Sequence, residues 1–133
     1  MKIIFLDNST IVLQTLKTLV LELIENKEIE CEFIDDERHL YRALQEQTLE
    51  FEILFSEITL QNISGYEVAK YARTIEKYQD KRIVAITTLF KDEEKQKGLD
   101  IGIDAWFVKS ITQDSLQKSI LECIELVKKE LGE

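Results

Sequence analysis

The chain alternates between two hydrophobic periodicities, and this restricts its fold more than any other feature. Short apolar runs, IIFL at 3–6, ILF at 53–55, IVAI at 83–86 and AWFV at 105–108, are separated by stretches with helical spacing. A continuous apolar run of that length reads as a strand covered on both faces, and strands joined through helices lie parallel. The runs place strands at 2–6, 29–34, 51–56, 82–87 and 105–108; the second alternates in character. Helices are expected at 10–26, on Val12, Leu16, Leu19 and Leu23 with Asn8 or Ser9 as cap, and at 37–47, on Leu40 and Leu44. Further helices are expected at 66–77, on Val68, Ala72 and Ile75, and at 91–101, where the pattern is mostly charged and Gly98 interrupts it. A last helix carries Leu116, Ile120, Cys123, Ile124, Val127 and Leu131 as one stripe. Five strands alternating with five helices define an α/β fold, a five-stranded parallel sheet with helices on both faces. With 133 residues, 1–133 is read as a single domain large enough for its own core.

Charge and composition narrow the function classes. A formal net charge of −9 opposes direct binding of nucleic acid or of an anionic membrane surface, and is compatible with a protein partner. No apolar run has the length of a membrane span, and Met1-Lys2 leads straight into an apolar strand rather than a leader, so a cytoplasmic location is expected. Cys31 and Cys123 lack metal-binding spacing and are expected as packed free thiols. His39, the only histidine, and the charged runs DDER at 35–38 and KDEEKQK at 91–97 are expected on solvated faces.

In an open parallel sheet, ligands bind outside the carboxyl ends of the strands, where strand order reverses. Here those ends carry Asp7-Asn8, Ser56-Glu57, Thr87-Thr88 and Lys109. Carboxylates and an amide suit a hard cation such as Mg²⁺, and a hydroxyl with an ammonium suits phosphoryl oxygens. A flavin or nucleotide site would need a glycine-rich turn after the first strand, which Asn8-Ser9-Thr10 does not supply. A Mg²⁺-dependent phosphatase-like hydrolase would want an acid at position 9, which is Ser9.

Five segments, in order and at the matching strand ends, resemble the response-regulator receiver family over essentially the whole chain: LDNS at 6–9, SE at 56–57, LQNISG at 60–65 with its turn glycine Gly65, AITT at 85–88 and GIDAWFVKS at 102–110. The resemblance implies a flavodoxin-like sheet of strand order 2-1-3-4-5. It puts Glu57 at the phosphoacceptor position, Thr87 and Lys109 as supporting residues, and Asp7, Asn8 and Glu57 where the family holds Mg²⁺. Trp106 falls at the switch aromatic; with Lys95 and Lys97 it marks a partner surface on the helix at 91–101, the last strand and the last helix. The implied partners are proteins: a histidine kinase, an effector domain, another signalling protein or a second copy of the chain.

The departures from the family pattern decide the expected function. Glu57 stands in place of aspartate, Asn8 in place of an acid, and Gln61, Ser64 and Ser110 in place of a proline, an acid and a proline. Glutamate carries its carboxylate one carbon–carbon bond farther, about 1.5 Å, and phosphoryl transfer depends on positioning. The expectation is therefore a non-enzymatic pseudo-receiver with no cofactor or a weak Mg²⁺ site, acting through protein contacts. Its counterpart is a working phosphoacceptor that takes phosphate on Glu57 or a nearby hydroxyl such as Ser56. Glu57→Asp with Asn8→Asp is expected to restore metal binding.

Overall fold

The computed structural model describes residues 1–109 and 111–133, so Ser110 lies outside the described residues. Strands β1 (Lys2–Leu6), β2 (Glu30–Ile34), β3 (Ile53–Ser56), β4 (Arg82–Thr87) and β5 (Ala105–Val108) alternate with helices α1 (Thr10–Leu19), α2 (Leu21–Glu25), α3 (Glu37–Glu46), α4 (Gly65–Arg73), α5 (Asp92–Asp100) and α6 (Gln113–Glu130). A short 3₁₀ turn, Glu76–Tyr78, follows α4. The strands form one sheet of order β2-β1-β3-β4-β5 with every pairing parallel.

Strand side chains alternate between two cores. Ile3, Phe5, Ile53, Phe55, Val84 and Ile86 pack with Leu13 and Leu16 of α1 and with Leu116, Ile120, Ile124 and Val127 of α6. Ile4, Leu6, Leu54, Ile83 and Ala85 meet Leu40 and Leu44 of α3 and Val68, Ala69 and Ala72 of α4. The three central strands are almost fully buried, which accounts for their unbroken apolar sequence. On the α1/α6 face, Phe5 stacks between Phe33 at 5.2 Å and Phe55 at 4.9 Å, joining β2, β1 and β3.

Several boundaries differ from expectation. The helix foreseen over 10–26 is interrupted at Val20, whose φ of −113° and ψ of 8° leave the helical region. Neither proline nor glycine marks the break; Val20 is a β-branched weak helix former that is itself buried. The helix foreseen over 66–77 ends at Arg73, and β3 begins at Ile53 rather than 51. Leu49 and Phe51 are buried without belonging to the ladder; Phe51 stacks on Tyr78 at 5.3 Å. Leu131 lies beyond α6 and is exposed. Cys31 and Cys123 are free and half-buried, and burial pushes both thiols up to about 11. No helix among the described residues is long and apolar enough to cross a membrane.

Candidate functional site

The sheet order reverses between β1 and β3, and the residues leaving those strands make up the candidate site. Asp7 follows β1 and Glu57 follows β3; both side chains are more than nine-tenths buried. Their position follows from the ladder: Leu6 pairs with Ser56, so the residues after them emerge side by side. Lys109 follows β5 and reaches across β4 to both. Its Nζ lies 2.5 Å from Asp7 Oδ2 and 2.7 Å from Glu57 Oε1, and its side chain is 17% exposed. Burial acts to lower the Lys109 pKa, but hydrogen bonds to Asp7 and Glu57, with their charges, outweigh it and hold the ammonium above its usual range.

The remaining carboxylate oxygens are also occupied. Asp7 Oδ1 accepts the Ser9 N–H at 2.9 Å, and Ser9 Oγ in turn caps α1 by accepting the Val12 N–H at 3.2 Å. Glu57 Oε2 accepts the N–H of Ile58 at 2.5 Å and of Thr59 at 3.1 Å. The extra methylene of glutamate lets its carboxylate fold back over the following two residues while its other oxygen keeps Lys109.

Gly65 closes this corner by proximity. A Cβ there would lie 2.3 Å from the Glu57 carbonyl oxygen and 2.7 Å from Ile58 Cα, so the start of α4 packs directly on the backbone beneath Glu57. The Gly65 N–H also bonds the Ile58 carbonyl at 2.7 Å.

Two other strand-end hydroxyls are engaged elsewhere. Thr87 is fully buried and its Oγ1 accepts the Leu89 N–H at 3.3 Å. Ser56 donates to the Glu57 carbonyl at 2.8 Å. Asn8 does not join the Asp7–Glu57–Lys109 cluster. Its Nδ2 donates to the Asp35 carbonyl at 2.9 Å and to Glu37 Oε1 at 3.1 Å, and its Oδ1 accepts the Gln61 N–H at 2.9 Å.

Glu37 corrects the expectation that DDER is a solvated face: its relative exposure is 0%. Its Oε2 accepts the N–H of Asn62 at 2.8 Å and of Ile63 at 3.4 Å. Burial would raise its pKa, but these bonds, with the Asn8 amide, leave it below the usual glutamate value. The spacing contained the clue. Positions 37, 40 and 44 share one helical stripe, and Glu37, Leu40 and Leu44 are the buried residues of α3. His39 is exposed, as expected.

On the β5 side, Trp106 is half-buried and donates from Nε1 to the Leu89 carbonyl at 2.9 Å. Its ring lies against Gly98, where a Cβ would stand 2.8 Å from Cζ3, and 6.2 Å from the Tyr66 ring. Tyr66 donates to the Glu94 carbonyl at 2.9 Å, and Lys97 lies over its ring with Nζ 4.4 Å from the centroid. Lys95 lines a groove of about 150 Å³ with Leu99 and Trp106, and Leu99 is exposed.

The chain is similar to several known proteins. Residues 3–121 match the family model described as the response regulator receiver domain. The stress response regulator protein 1 of Candida tropicalis is 27% identical over 126 residues, covering 93% of this chain and 46% of that protein. The chain thus spans about half the length of that curated relative. Among solved structures, the chemotaxis protein CheY4 of Vibrio cholerae aligns with TM-score 0.74 at 25% identity, covering 91% of this chain and 96% of its own. A two-component response regulator from Clostridium difficile aligns with TM-score 0.77 at 19% identity, covering 99% and 98%, a likeness of fold.

Proposed function

The chain belongs to the response-regulator receiver domain family of two-component signalling, and from that premise we propose that it is a receiver in which Glu57 replaces the phosphoacceptor aspartate and signalling proceeds through protein contacts without phosphorylation. The observation that carries this reading is the Lys109 ammonium placed between the Asp7 and Glu57 carboxylates. A cation tethered to β5 already compensates both acids, and their outward oxygens are taken by backbone N–H groups.

For Mg²⁺ the reading is no cofactor or a weak site. The ion is bound through one or two carboxylates with waters completing its octahedron, so Asp7 and Glu57 are the acids that would hold it, while Lys109 already pairs with both and the Asn8 oxygen is turned to Gln61. Phosphoryl transfer also requires an in-line approach to the attacking oxygen, and Glu57 Oε2 lies against its own backbone while Oε1 lies on Lys109.

Receivers engage protein partners. The surface of Lys95, Lys97 and Trp106 on α5 and β5 is the proposed contact for a histidine kinase, an effector domain, another signalling protein or a second copy of the chain. The match over residues 3–121 supports treating 1–133 as one receiver unit. A non-enzymatic role in the cytoplasm, with no cofactor or a weak Mg²⁺ site, completes the reading.

Trp106, the sole tryptophan, provides the test. Its fluorescence is followed while Mg²⁺ is titrated and beryllium fluoride or a small phosphodonor is added, with intact mass measured in parallel. The expected outcome is no saturable response and no phosphate adduct. A saturating response at millimolar Mg²⁺ together with an adduct on Glu57 or Ser56 overturns the reading in favour of a working phosphoacceptor.

A further inference from the structure

We infer that Glu37 and Asn8 form a latch that fixes the loop between β3 and α4, and that Glu37 is the residue that requires an amide at position 8. A fully buried, ionised carboxylate is tolerated only where donors surround it. Glu37 finds them in the Asn8 amide and in the N–H groups of Asn62 and Ile63. It also sits in the first turn of α3, where the helix dipole favours negative charge.

Asn8 completes the arrangement from the other side. It donates to Glu37 and to the Asp35 carbonyl, and accepts from the Gln61 N–H. Three consecutive loop amides, at Gln61, Asn62 and Ile63, are thereby held by two side chains, Asn8 from the loop after β1 and Glu37 from the first turn of α3. Only a side chain with a donor and an acceptor at that reach serves both partners. An aspartate at 8 would place one carboxylate 3.1 Å from another in a part-buried setting and would leave the Asp35 carbonyl without its donor. Residue 8 is fitted to Glu37, and its departure from an acid has a local cause.

This inference stands independently of whether Glu57 accepts phosphate. It changes the expectation for Glu57→Asp with Asn8→Asp: an acid at 8 meets Glu37 before it meets a metal, so that pair alone is not expected to create a Mg²⁺ site.

The test reverses donor and acceptor. Asn8→Asp sets two acceptors against each other; Asn8→Asp with Glu37→Gln restores one donor and one acceptor with their places exchanged. Amide exchange at Gln61, Asn62 and Ile63 is measured against Phe55 and Val84 in β3 and β4 as internal references. Asn8→Asp is expected to speed loop exchange about tenfold, the scale of one lost hydrogen bond, with the references unchanged, and the double variant to return it to within about threefold of the parent. Unchanged loop exchange in Asn8→Asp, or a double variant no better protected than the single, overturns the latch. Should Asn8→Asp unfold the whole chain, Glu37→Gln alone decides. It sets an amide against the Asn8 amide and must raise exchange at Asn62 and Ile63; if it does not, the inference fails.

Discussion

At the scale of single residues, the Lys109 ion pairs dominate. Lys109→Met leaves two carboxylates facing each other without their cation, and the expected loss at neutral pH is about 3 kcal/mol or more. The pH dependence has a definite sign. The folded-state pKa of Lys109 is raised above its ordinary 10.5, so its stabilisation is fully present below that value and is lost as pH rises through the folded-state value. The gap in urea midpoint between parent and Lys109→Met should hold from neutral pH to 10.5 and close above it. A gap unchanged in strong alkali would mean that Lys109 acts by packing alone. The strand-end positions of Asp7, Glu57 and Lys109 were legible from sequence, because a chain leaving a buried parallel strand has one place to emerge. The direction of Asn8 and the partners of Glu37 were not. The helical stripe at 37, 40 and 44 marks Glu37 as inward-facing, but what it and Asn8 bind lies more than 20 residues away, a separation that no local periodicity encodes.

At the scale of elements, α5 shows how local propensity and packing compete. Gly98 weakens the helix, and alanine would add about 1 kcal/mol of helical preference. That Cβ, however, would stand 2.8 Å from Trp106 Cζ3 and 3.1 Å from Cε3. The ring is anchored through Nε1 to the Leu89 carbonyl and cannot yield freely. Overpacking of this kind costs about 1–3 kcal/mol, so the packing term wins. Gly98→Ala should lower the urea midpoint and shift the Trp106 emission; a more stable protein with unchanged emission would show that the ring gives way easily. The strands were readable from sequence because burial on both faces leaves continuous apolar runs. The break at Val20 and the early end of α4 were not, since each carries apolar residues onward past the last helical hydrogen bond. Leu49 and Phe51 show the same ambiguity: burial attracts apolar residues whether or not a ladder includes them.

At the scale of the whole molecule, the sheet couples two cores. Phe5 belongs to the α1/α6 side, whereas Trp106 packs on the α3/α4 side. Phe5→Ala removes the middle ring of the stack across β2, β1 and β3, at an expected cost of about 3–5 kcal/mol. If the two layers unfold as one unit, Trp106 fluorescence and far-ultraviolet circular dichroism should report the same lowered midpoint. Separate midpoints would show that one layer survives without the other.

The half-buried thiols carry a practical consequence of that layering. With both pKa values raised from 9.0 to about 11, Cys31 and Cys123 hold about a hundredfold less thiolate near neutral pH than ordinary cysteines. Maleimide dyes and spin labels would therefore react slowly with the native pair. A cysteine introduced on an exposed loop becomes the preferred address for a probe, with no need to strip the protein of its own sulfur first.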